Sequence, residues 1–294
     1  MELLDGKKLS RLIKAEIKKE VQSFVESGLR HPHLVAVIAG DDPASHYYVK
    51  SKMRSCKEVG FKSTNINTPG DITTSELLEL IYALNEDDNV DGYIVQLPLP
   101  PHIEVNKVMP AIDPGKDVDG FHPYNLGKLL LGLDTFVPAT PLGILEMIKR
   151  YEIPTEGKDV VILGRSNIVG KPMSILMSGK SYPGNSTVTV LHSKSKNIED
   201  KLKNADIIIA AIGKPAFVKA PMVKEGAVII DVGINRVEDR NTKKGYKILG
   251  DVDFENVAPL CSYITPVPGG VGLMTVTALL MNTLKAYKQR HEIQ

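Results

Sequence analysis

The sequence predicts an α/β fold in two domains, the second of them a doubly wound parallel sheet, and three observations predict it. The chain has 294 residues, which is more than one hydrophobic core usually serves. Short apolar runs alternate with longer segments of helical periodicity, which is the pattern of βαβ units. Several runs in the second half are apolar throughout, as expected of strands that helices cover on both faces.

In the first half, apolar residues at helical spacing predict an opening helix that ends near Gly28. Two proline-rich and turn-rich stretches, residues 97–105 and 112–125, interrupt the alternation that follows. Loops this long in a compact domain are more often binding segments than filler. The other predicted elements are strands at residues 34–40, 61–66 and 92–95, a helix beginning near Pro43 and a helix over residues 74–85.

The helix near Pro43 carries the first candidate site. Asp42 can cap its first turn, and Pro43 suits the first helical position because its missing N–H is not needed there. Tyr48 and Lys52 lie together along one border of the buried stripe. Two interpretations stay open at this point. Lys52 is a surface lysine that covers apolar area, or it is a partly desolvated lysine that carries a proton.

The second half begins with a helix after Thr140 and then continues as strands with intervening helices. Its last apolar segment, residues 274–288, has helical spacing and no strand after it. The predicted strands are residues 159–164, 187–191, 206–212 and 227–232.

The segment VVILGRSNIVGKP, residues 160–172, has the order strand, glycine turn, helix. Gly164 and Gly170 frame its loop, which is longer than the common dinucleotide fingerprint. After a buried strand this predicts a Rossmann-like domain in which helix N–H groups hold a pyrophosphate, with Arg165 and Ser166 within reach of phosphate or ribose. An ordinary strand-to-helix turn has the same order, and that interpretation also stays open.

The end of the next predicted strand favours NADP over NAD. NAD sites usually place Asp or Glu there to hold the ribose 2′-hydroxyl. Here the strand ends in His192, Ser193, Lys194 and, further on, Lys196. Hydroxyl and cationic groups favour a 2′-phosphate that a carboxylate would repel. A solvated loop remains the alternative for Lys196.

The composition excludes several classes of partner and cofactor. The chain has 36 Lys and Arg against 35 Asp and Glu, a net charge of +1, so neither nucleic acid nor an anionic membrane is expected. It has no apolar run near the roughly 18 residues of a membrane span and no signal-like start, which predicts a cytoplasmic protein. Cys56, Cys261 and the seven His residues lack metal-ligand spacing, so neither a metal site nor a disulfide is expected.

Seven motifs occur in series, in an order and with spacings that together are highly specific. They are SHYYVKSK (45–52), VQLPLP (95–100), KDVDGFHPYNLGKL (116–129), GRSNIVGKP (164–172), HSKS (192–195), DVGIN (231–235) and TPVPGGVG (265–272). In this, the sequence resembles the bifunctional methylenetetrahydrofolate dehydrogenase/cyclohydrolases nearly from end to end.

The resemblance implies an enzyme of one-carbon folate metabolism, which serves purine biosynthesis. It would oxidise 5,10-methylenetetrahydrofolate with NADP to the 5,10-methenyl form and then hydrolyse that to 10-formyltetrahydrofolate, both in one cleft between two domains. The first domain would be residues 1–139, completed by the C-terminal helix 274–294. The second would be the NADP-binding domain, residues 140–273. Two chains would pair as a homodimer through their cofactor domains.

The resemblance also implies roles for individual residues. Lys52 would assist proton transfer during attack of water on the methenyl carbon, Gln96 would orient and tune Lys52, Tyr48 would position the ring, and Asp119 would hold the pterin. Further residues at the folate would be Val95, Leu97, Pro268, Gly269 and Gly270. The residues at NADP would be Gly164, Arg165, Ser166, Ser193 and Ile234.

Some positions depart from the family pattern, and two alternative functions are open. Leu273 stands where the family usually has proline, Ser195 replaces a commoner threonine, and residues 178–186 form a long connection. One alternative is a dehydrogenase without cyclohydrolase activity, against which the intact Lys52 and Gln96 argue. The other is a non-catalytic dinucleotide-sensing protein, which has no use for the polar residues near Lys52.

Overall fold

The structure, a computed structural model, describes residues 1–239, Thr242 and residues 245–293. The chain divides into two compact units, which are described separately. One comprises Arg11–Ala139 and the stretch from Val276 onward, and the other comprises Met1–Ser10 and Thr140–Thr275. We call them the three-stranded unit and the six-stranded unit, after their main sheets.

Helices and strands alternate through most of the chain. The first elements are β1 (Glu2–Leu3), α1 (Gly6–Glu26), β2 (His33–Ala39), α2 (Pro43–Glu58), β3 (Lys62–Thr68), α3 (Thr74–Glu86), β4 (Gly92–Val95), α4 (Val105–Ala111), α5 (Pro123–Leu130) and α6 (Ala139–Arg150). The later ones are β5 (Asp159–Leu163), α7 (Gly170–Ser178), β6 (Thr187–Leu191), α8 (Ile198–Lys203), β7 (Ile207–Ala210), β8 (Val228–Asp231), β9 (Asn235–Glu238), β10 (Tyr246–Leu249), α9 (Phe254–Val257), β11 (Tyr263–Ile264) and α10 (Val271–Arg290).

The three-stranded unit is built on a parallel sheet of order β3-β2-β4. Strand β2 is buried along its whole length, as its continuous apolar run predicts. Leu77 and Ile81 of α3 pack with Val35 and Val37 of β2 in one core cluster. The strands therefore present their carboxyl ends, and the loops that follow them, at one edge of a rigid sheet.

The last turns of α10 belong to the three-stranded unit. The fully buried ring of Tyr287 stacks on Phe24 with centroids 5.5 Å apart, and its hydroxyl donates to the carbonyl oxygen of Arg30 at 2.7 Å. Lys288 pairs with Glu20 at 2.9 Å. The end of the chain is therefore part of the core formed by its first third.

The six-stranded unit has a sheet of order β1-β11-β8-β7-β5-β6, and every pair in it is parallel. Strands β7 and β8 are buried throughout. Chain order runs outward from β5 in both directions, to β6 on one side and to β7 and β8 on the other. This is the doubly wound, Rossmann-like arrangement, and the predicted fold class is confirmed.

Some elements differ from the sequence-based expectation. Residues 1–10, expected in the first domain, lie with the six-stranded unit because Glu2–Leu3 pairs with Tyr263–Ile264. A strand of two residues has no periodicity that could reveal this pairing. Helices α4 and α5 form inside or beside the stretches expected to be loops, although Pro110 lies within α4.

Candidate active site

The loops that follow β2, β3 and β4 meet at the carboxyl edge of the three-stranded sheet. Gly40 has a φ of +85°, and a Cβ placed on it would lie 3.6 Å from the Cα of Gly70 and 3.7 Å from the Cγ of Pro100. Each of these three residues comes from a different loop. Ligands of open parallel sheets bind outside the carboxyl ends of the strands, so this edge is the candidate active site of the unit.

Helix α2 starts at this edge as the sequence predicts. The carboxylate of Asp42 accepts hydrogen bonds from the backbone N–H of Ser45 at 2.8 Å and from its hydroxyl at 2.7 Å, and Pro43 occupies the first helical turn. Val49 is buried whereas Tyr48 is 43% exposed. Tyr48 and Lys52 therefore lie where the predicted border between core and solvent places them.

Lys52 makes a specific contact with Gln96, which directly follows β4. Its Nζ donates to the Oε1 of Gln96 at 3.1 Å. The other end of the same amide is fixed, because Nε2 donates to the carbonyl oxygen of Leu97 at 2.7 Å, and the backbone N–H of Gln96 donates to Val37 at 2.9 Å. The amide is thus held with its oxygen towards Lys52, and the partly buried ammonium keeps further N–H groups for a ligand.

The lysine of the KDVDG motif has a structural role. Lys116 is 1% exposed, and its Nζ donates to the carbonyl oxygens of Leu84, Asn85 and Asp87 at 2.9, 2.7 and 2.8 Å. These carbonyls lie at the C-terminus of α3, where a helix leaves its last acceptors unpaired and where a cation is favoured. Lys116 therefore joins the KDVDG loop to the end of α3.

The first aspartate of the motif is structural as well. The buried carboxylate of Asp117 accepts hydrogen bonds from the backbone N–H groups of Gly120, Phe121 and His122, at 3.2, 3.2 and 2.7 Å, and from Nδ2 of Asn125 at 2.9 Å. All of these donors belong to residues 120–125, which closely follow it in the chain. Asp117 thus sets the path of the chain after Asp119.

The second aspartate, Asp119, is different. It is partly buried, and among the residues that the structure describes no side chain or backbone group forms a hydrogen bond with its carboxylate. Burial raises the pKa of Asp119, and the positive charge of Lys52 acts in the opposite direction. The structure thus brings Lys52, Gln96 and Asp119 into one electrostatic group, with Tyr48 on the same helix as Lys52.

The structural roles of Lys116 and Asp117 in the KDVDG loop were not predicted from the sequence. In the sequence they are one more lysine and one more aspartate beside Asp119. Only their burial distinguishes them, since a fully buried charged group requires partners that it also fixes in place. The motif itself was the available signal, but it does not say which of its two aspartates is saturated.

The amino edge of the same sheet has a pocket of about 450 Å³, whose lining includes Arg30, His31, His33, Lys57 and Lys62. Three of these groups are already committed to the fold. Arg30 pairs with the buried carboxylate of Asp91 at 2.7 Å, and His31 and His33 bond to the carbonyl oxygens of Gly60 and Asn89. The pocket is therefore basic through Arg30, Lys57 and Lys62, but Arg30 and both histidines already have structural partners.

In the six-stranded unit, the turn after β5 has the shape that a pyrophosphate requires. Gly164 has a φ of +118°, and a Cβ on it would lie 2.2 Å from the carbonyl oxygen of Ala211. A Cβ on Gly170, the first residue of α7, would lie 2.2 Å from the carbonyl oxygen of Gly164. Only glycines fit both places, and the close turn directs the N-terminus of α7 to the carboxyl edge of the sheet.

Ser166 and Arg165 lie in this turn and are both exposed. The hydroxyl of Ser166 accepts hydrogen bonds from the backbone N–H groups of Val169 and Gly170 at 3.2 and 3.4 Å. It therefore shapes the loop, while the guanidinium of Arg165 is accessible to a ligand.

The end of β6 is adjacent, because the N–H of Gly164 donates to the carbonyl oxygen of Leu191 at 2.8 Å. A tight turn follows in which the hydroxyl of Ser195 accepts the N–H of His192 at 3.0 Å. This leaves Ser193 and Lys194 exposed, and residues 192–196 contain no carboxylate. The glycine turn and this basic, hydroxyl-bearing end together fit a dinucleotide with a 2′-phosphate.

Two buried aspartates organise the loops after β7 and β8. Asp231 accepts the N–H groups of Gly233, Asp251 and Val252, each at 2.9 Å. Burial raises the pKa of Asp231 to about 6, against the effect of these three donors. This bonding fixes the exposed loop in which Ile234, expected at NADP, is half-exposed.

Asp251 was not singled out from the sequence. Its carboxylate accepts the N–H groups of Ile212 and Gly213 at 2.7 and 2.9 Å and the side-chain amide of Asn235 at 2.9 Å. It lies 20 residues after Asp231 and accepts from three groups on two loops. The sequence offers no periodic pattern that could mark such a residue.

The loop TPVPGGVG lies in the six-stranded unit, with Pro268 exposed and Gly270 buried. Gly269 has a φ of +116°, and the peptide bond from Val267 to Pro268 is cis. A Cβ on Gly270 would lie 2.6 Å from the carbonyl oxygen of Pro266. The backbone of this loop is therefore closely packed, and its contact with folate remains a prediction.

Two further findings bear on the predicted partners and cofactors. No helix within the described ranges is long and apolar enough to span a membrane. Among the same residues, no group of three or more His, Cys, Asp or Glu side chains is arranged to hold a metal ion.

Comparison with known proteins gives matches along nearly the whole chain. Residues 4–119 match the family described as tetrahydrofolate dehydrogenase/cyclohydrolase, catalytic domain, and residues 138–291 match tetrahydrofolate dehydrogenase/cyclohydrolase, NAD(P)-binding domain. The bifunctional protein FolD of Flavobacterium johnsoniae is 59% identical over 290 residues, which cover 99% of this chain and 98% of that protein.

Solved structures give the same result. The bifunctional enzyme FolD of Campylobacter jejuni has a TM-score of 0.93 at 49% identity and covers 99% of both chains. The Trypanosoma brucei methylenetetrahydrofolate dehydrogenase-cyclohydrolase, solved with NADP and an inhibitor, has a TM-score of 0.91 at 36% identity and covers 97% of this chain and 96% of that one. The resemblance inferred from the seven motifs is confirmed: the chain belongs to the tetrahydrofolate dehydrogenase/cyclohydrolase family.

Proposed function

We propose that Lys52, Gln96, Tyr48 and Asp119 carry out the chemistry of a bifunctional folate enzyme. Membership of the family gives the activity: the chain is an NADP-dependent methylenetetrahydrofolate dehydrogenase and methenyltetrahydrofolate cyclohydrolase of one-carbon metabolism. The roles of the four residues are our proposal. The observation that carries it is the hydrogen bond from Lys52 to an anchored Gln96, beside an Asp119 carboxylate that has no protein hydrogen bond in the part of the chain described.

In the first reaction the methylene carbon of 5,10-methylenetetrahydrofolate loses a hydride and becomes the cationic methenyl carbon. The residues proposed to hold NADP would place its nicotinamide as the acceptor of that hydride. This step requires alignment more than side-chain chemistry. Asp119 can provide that alignment at the pterin, because the two oxygens of a carboxylate can accept hydrogen bonds from two adjacent ring N–H groups at once.

In the second reaction water adds to the methenyl carbon, a carbon–nitrogen bond of the ring breaks, and 10-formyltetrahydrofolate and one proton are formed. We assign the transfer of that proton to the amine of Lys52. Gln96 keeps the Nζ of Lys52 in place because its own amide is tied to Leu97.

Tyr48 has a positioning role in this proposal. Its exposed ring makes an edge contact with the ring of Tyr47, with centroids 6.2 Å apart. An exposed aromatic face next to a lysine can stack on a planar heterocycle or a benzoyl ring. This supports ring positioning by Tyr48 rather than proton transfer.

NADP is the proposed cofactor rather than NAD, with Gly164, Arg165, Ser166, Ser193 and Ile234 as the residues that hold it. The support is the glycine turn together with the exposed cation and hydroxyls at two adjacent strand ends. The T. brucei relative was solved with NADP. We further propose that the enzyme is cytoplasmic and forms a homodimer. Light scattering of the purified chain tests the homodimer.

The experiment that tests the proposed function is a turnover assay. Purified protein is given 5,10-methylenetetrahydrofolate with NADP in one cuvette and with NAD in another, and the reduced cofactor and methenyl-folate are followed at separate wavelengths. We expect NADPH to form with little lasting methenyl signal. Accumulation of methenyl-folate would leave a dehydrogenase alone, and no turnover with either cofactor would reject the proposal.

A further inference from the structure

We propose that Asn282, in the C-terminal helix α10, is a positioning residue for Asp119 and thereby for the folate. The inference rests on the proposed function, because it concerns how the pterin-binding carboxylate is held in place. It assigns to the last helix a role in substrate binding besides its packing in the core.

The contacts of Asn282 are specific. The residue is 3% exposed, and its Nδ2 donates to the carbonyl oxygens of Val118 at 2.8 Å and Val137 at 2.9 Å. Both hydrogens of the amide nitrogen are thus used on backbone acceptors. One amide group connects two segments that are distant in sequence, and one of the two acceptors belongs to the residue immediately before Asp119.

The second segment also contacts Asp119. The N–H of Ala139 donates to the carbonyl oxygen of Asp119 at 3.3 Å. A Cβ placed on Gly120, which has a φ of +75°, would lie 2.7 Å from the backbone nitrogen of Pro138. The segments 118–120 and 137–139 therefore run in direct contact, and Asn282 joins them at the end nearest Val118.

The position of the Asp119 carboxylate depends on this backbone. Asp117 fixes the chain after Asp119 through the N–H groups of Gly120, Phe121 and His122, and Asn282 fixes the chain before it. The carboxylate itself has no hydrogen bond to any residue in the described ranges. Its direction is therefore set by the main chain and not by partners of its own.

The buried amide of Asn282 requires hydrogen-bond partners. Leu279, Leu280 and Leu284 on the same helix are buried in apolar contacts, and asparagine is a weaker helix former than leucine. A buried amide is unfavourable unless it satisfies groups that would otherwise be unpaired. Here those groups are the carbonyl oxygens of Val118 and Val137. The amide therefore has a role that packing alone does not explain.

The test compares Asn282→Leu with Thr283→Val. The leucine variant keeps a similar volume and removes both hydrogen bonds. The control removes a fully buried hydroxyl on the same helix, whose one hydrogen bond within the described residues goes to the carbonyl of Leu279 in its own helix at 2.8 Å. We expect Asn282→Leu to raise the KM for 5,10-methylenetetrahydrofolate by about tenfold or more, since a misplacement of about 1 Å can cost a hundredfold. The KM for NADP should stay within about twofold, and Thr283→Val should change neither.

A double-mutant cycle separates positioning from general loss of structure. In an Asp119→Ala background, Asn282→Leu should add little to the rise in folate KM, because the carboxylate that it positions is gone. If Asn282→Leu does not fold, Asn282→Ser, which keeps one donor, should give a smaller rise in the same KM only. An unchanged folate KM in a folded variant, an equal rise in both KM values, or the same rise with and without Asp119 would overturn the inference. Absence of turnover in the wild type would instead overturn the proposed function.

Discussion

The carboxyl edges of the two parallel sheets are organised differently. At the three-stranded edge, Lys52 has a single anchored partner and Asp119 has none in the described part of the chain, so charged side chains are left for a ligand. At the six-stranded edge, the carboxylates of Asp231 and Asp251 each accept hydrogen bonds from three protein donors. What that edge offers a ligand is a glycine turn with its backbone N–H groups, together with the exposed side chains of Arg165, Ser193 and Lys194. Reaction chemistry requires titratable groups with unused capacity, whereas cofactor binding requires a fixed shape.

The largest effect is expected from removal of the proposed proton carrier, Lys52. We expect Lys52→Met to slow methenyl-folate hydrolysis by about 10²- to 10⁴-fold, the usual range for loss of a general acid–base group. NADP affinity should be unchanged, because Lys52 belongs to the other edge. Loss of methenyl absorbance measures the first quantity and a fluorescence titration with NADPH measures the second.

Lys50→Met is the matched control for that variant, since Lys50 is an exposed lysine on the same helix. Its hydrolysis rate should equal that of the wild type. A Lys52→Met enzyme that hydrolyses methenyl-folate at the native rate would remove Lys52 from the mechanism.

At the other edge, shape should matter more than charge. Gly164→Ala places a methyl group 2.2 Å from the carbonyl oxygen of Ala211 at a φ of +118°. We expect NADP affinity to fall by more than about tenfold, because close approach of the pyrophosphate to the turn is lost. Gly157→Ala, at a φ of +69° with no atom within 4 Å of the new methyl, should bind NADP normally. Equal affinities for the two variants, measured by titration, would contradict this.

Lys116 and Lys52, both in the three-stranded unit, should differ in how much each contributes to the stability of the fold. Lys116→Met leaves three carbonyls at the C-terminus of α3 without their shared donor, and should lower the free energy of unfolding by about 2–4 kcal/mol. Lys52→Met should change it by less than about 1 kcal/mol, because that lysine is only partly buried. Urea unfolding followed by circular dichroism gives both values. A Lys116 variant as stable as the wild type would show that hydrogen bonds from water replace those from Lys116 without loss of stability.

A pH dependence of stability is expected from Asp231. Its pKa is raised to about 6 in the folded protein, so between about pH 4 and 6 the folded state holds a proton that the unfolded state has released. This contribution to the free energy of unfolding therefore falls as pH rises through that window, by up to about 3 kcal/mol. Asp231→Asn cannot titrate and should lack it.

The measurement is urea unfolding of wild type and Asp231→Asn at several pH values. The variant should be less stable throughout, since its side-chain amide places a donor against backbone N–H groups, but the stability difference should shrink from pH 4 to 6. A constant difference across the window would show that Asp231 does not titrate there.

Much of the fold could be predicted because local signals and the final structure agree. The strand predicted at residues 92–95 is Gly92–Val95, the helix predicted at 74–85 is Thr74–Glu86, and the cap by Asp42 is present. These elements depend on periodicity and on capping chemistry, both of which are local in sequence. Where structure depends on distant pairing, as between Glu2–Leu3 and Tyr263–Ile264, no local pattern exists.

The candidate active site could be predicted from the sequence to a similar extent as the fold. The motifs identified Lys52, Gln96 and Asp119, and the structure gives Lys52 and Gln96 a direct bond across 44 positions of sequence. The saturation of Asp117 could not be predicted, because it arises from the loop that closes around it. The contribution of Asn282 was equally hidden, since its acceptors are main-chain carbonyls at residues 118 and 137.

The C-terminal helix has a consequence for how the protein matures on the ribosome. Domains usually fold in the order in which they are synthesised. Here the ring of Tyr287, the amide of Asn282 and the ammonium of Lys288 all fill places among residues 20–137, yet they are translated only after residues 140–275 of the other unit. The three-stranded unit must therefore wait for α10 to complete its core. A message truncated before the codon for Asn282 would release a polypeptide in which this unit, although mostly translated first, is left unfinished.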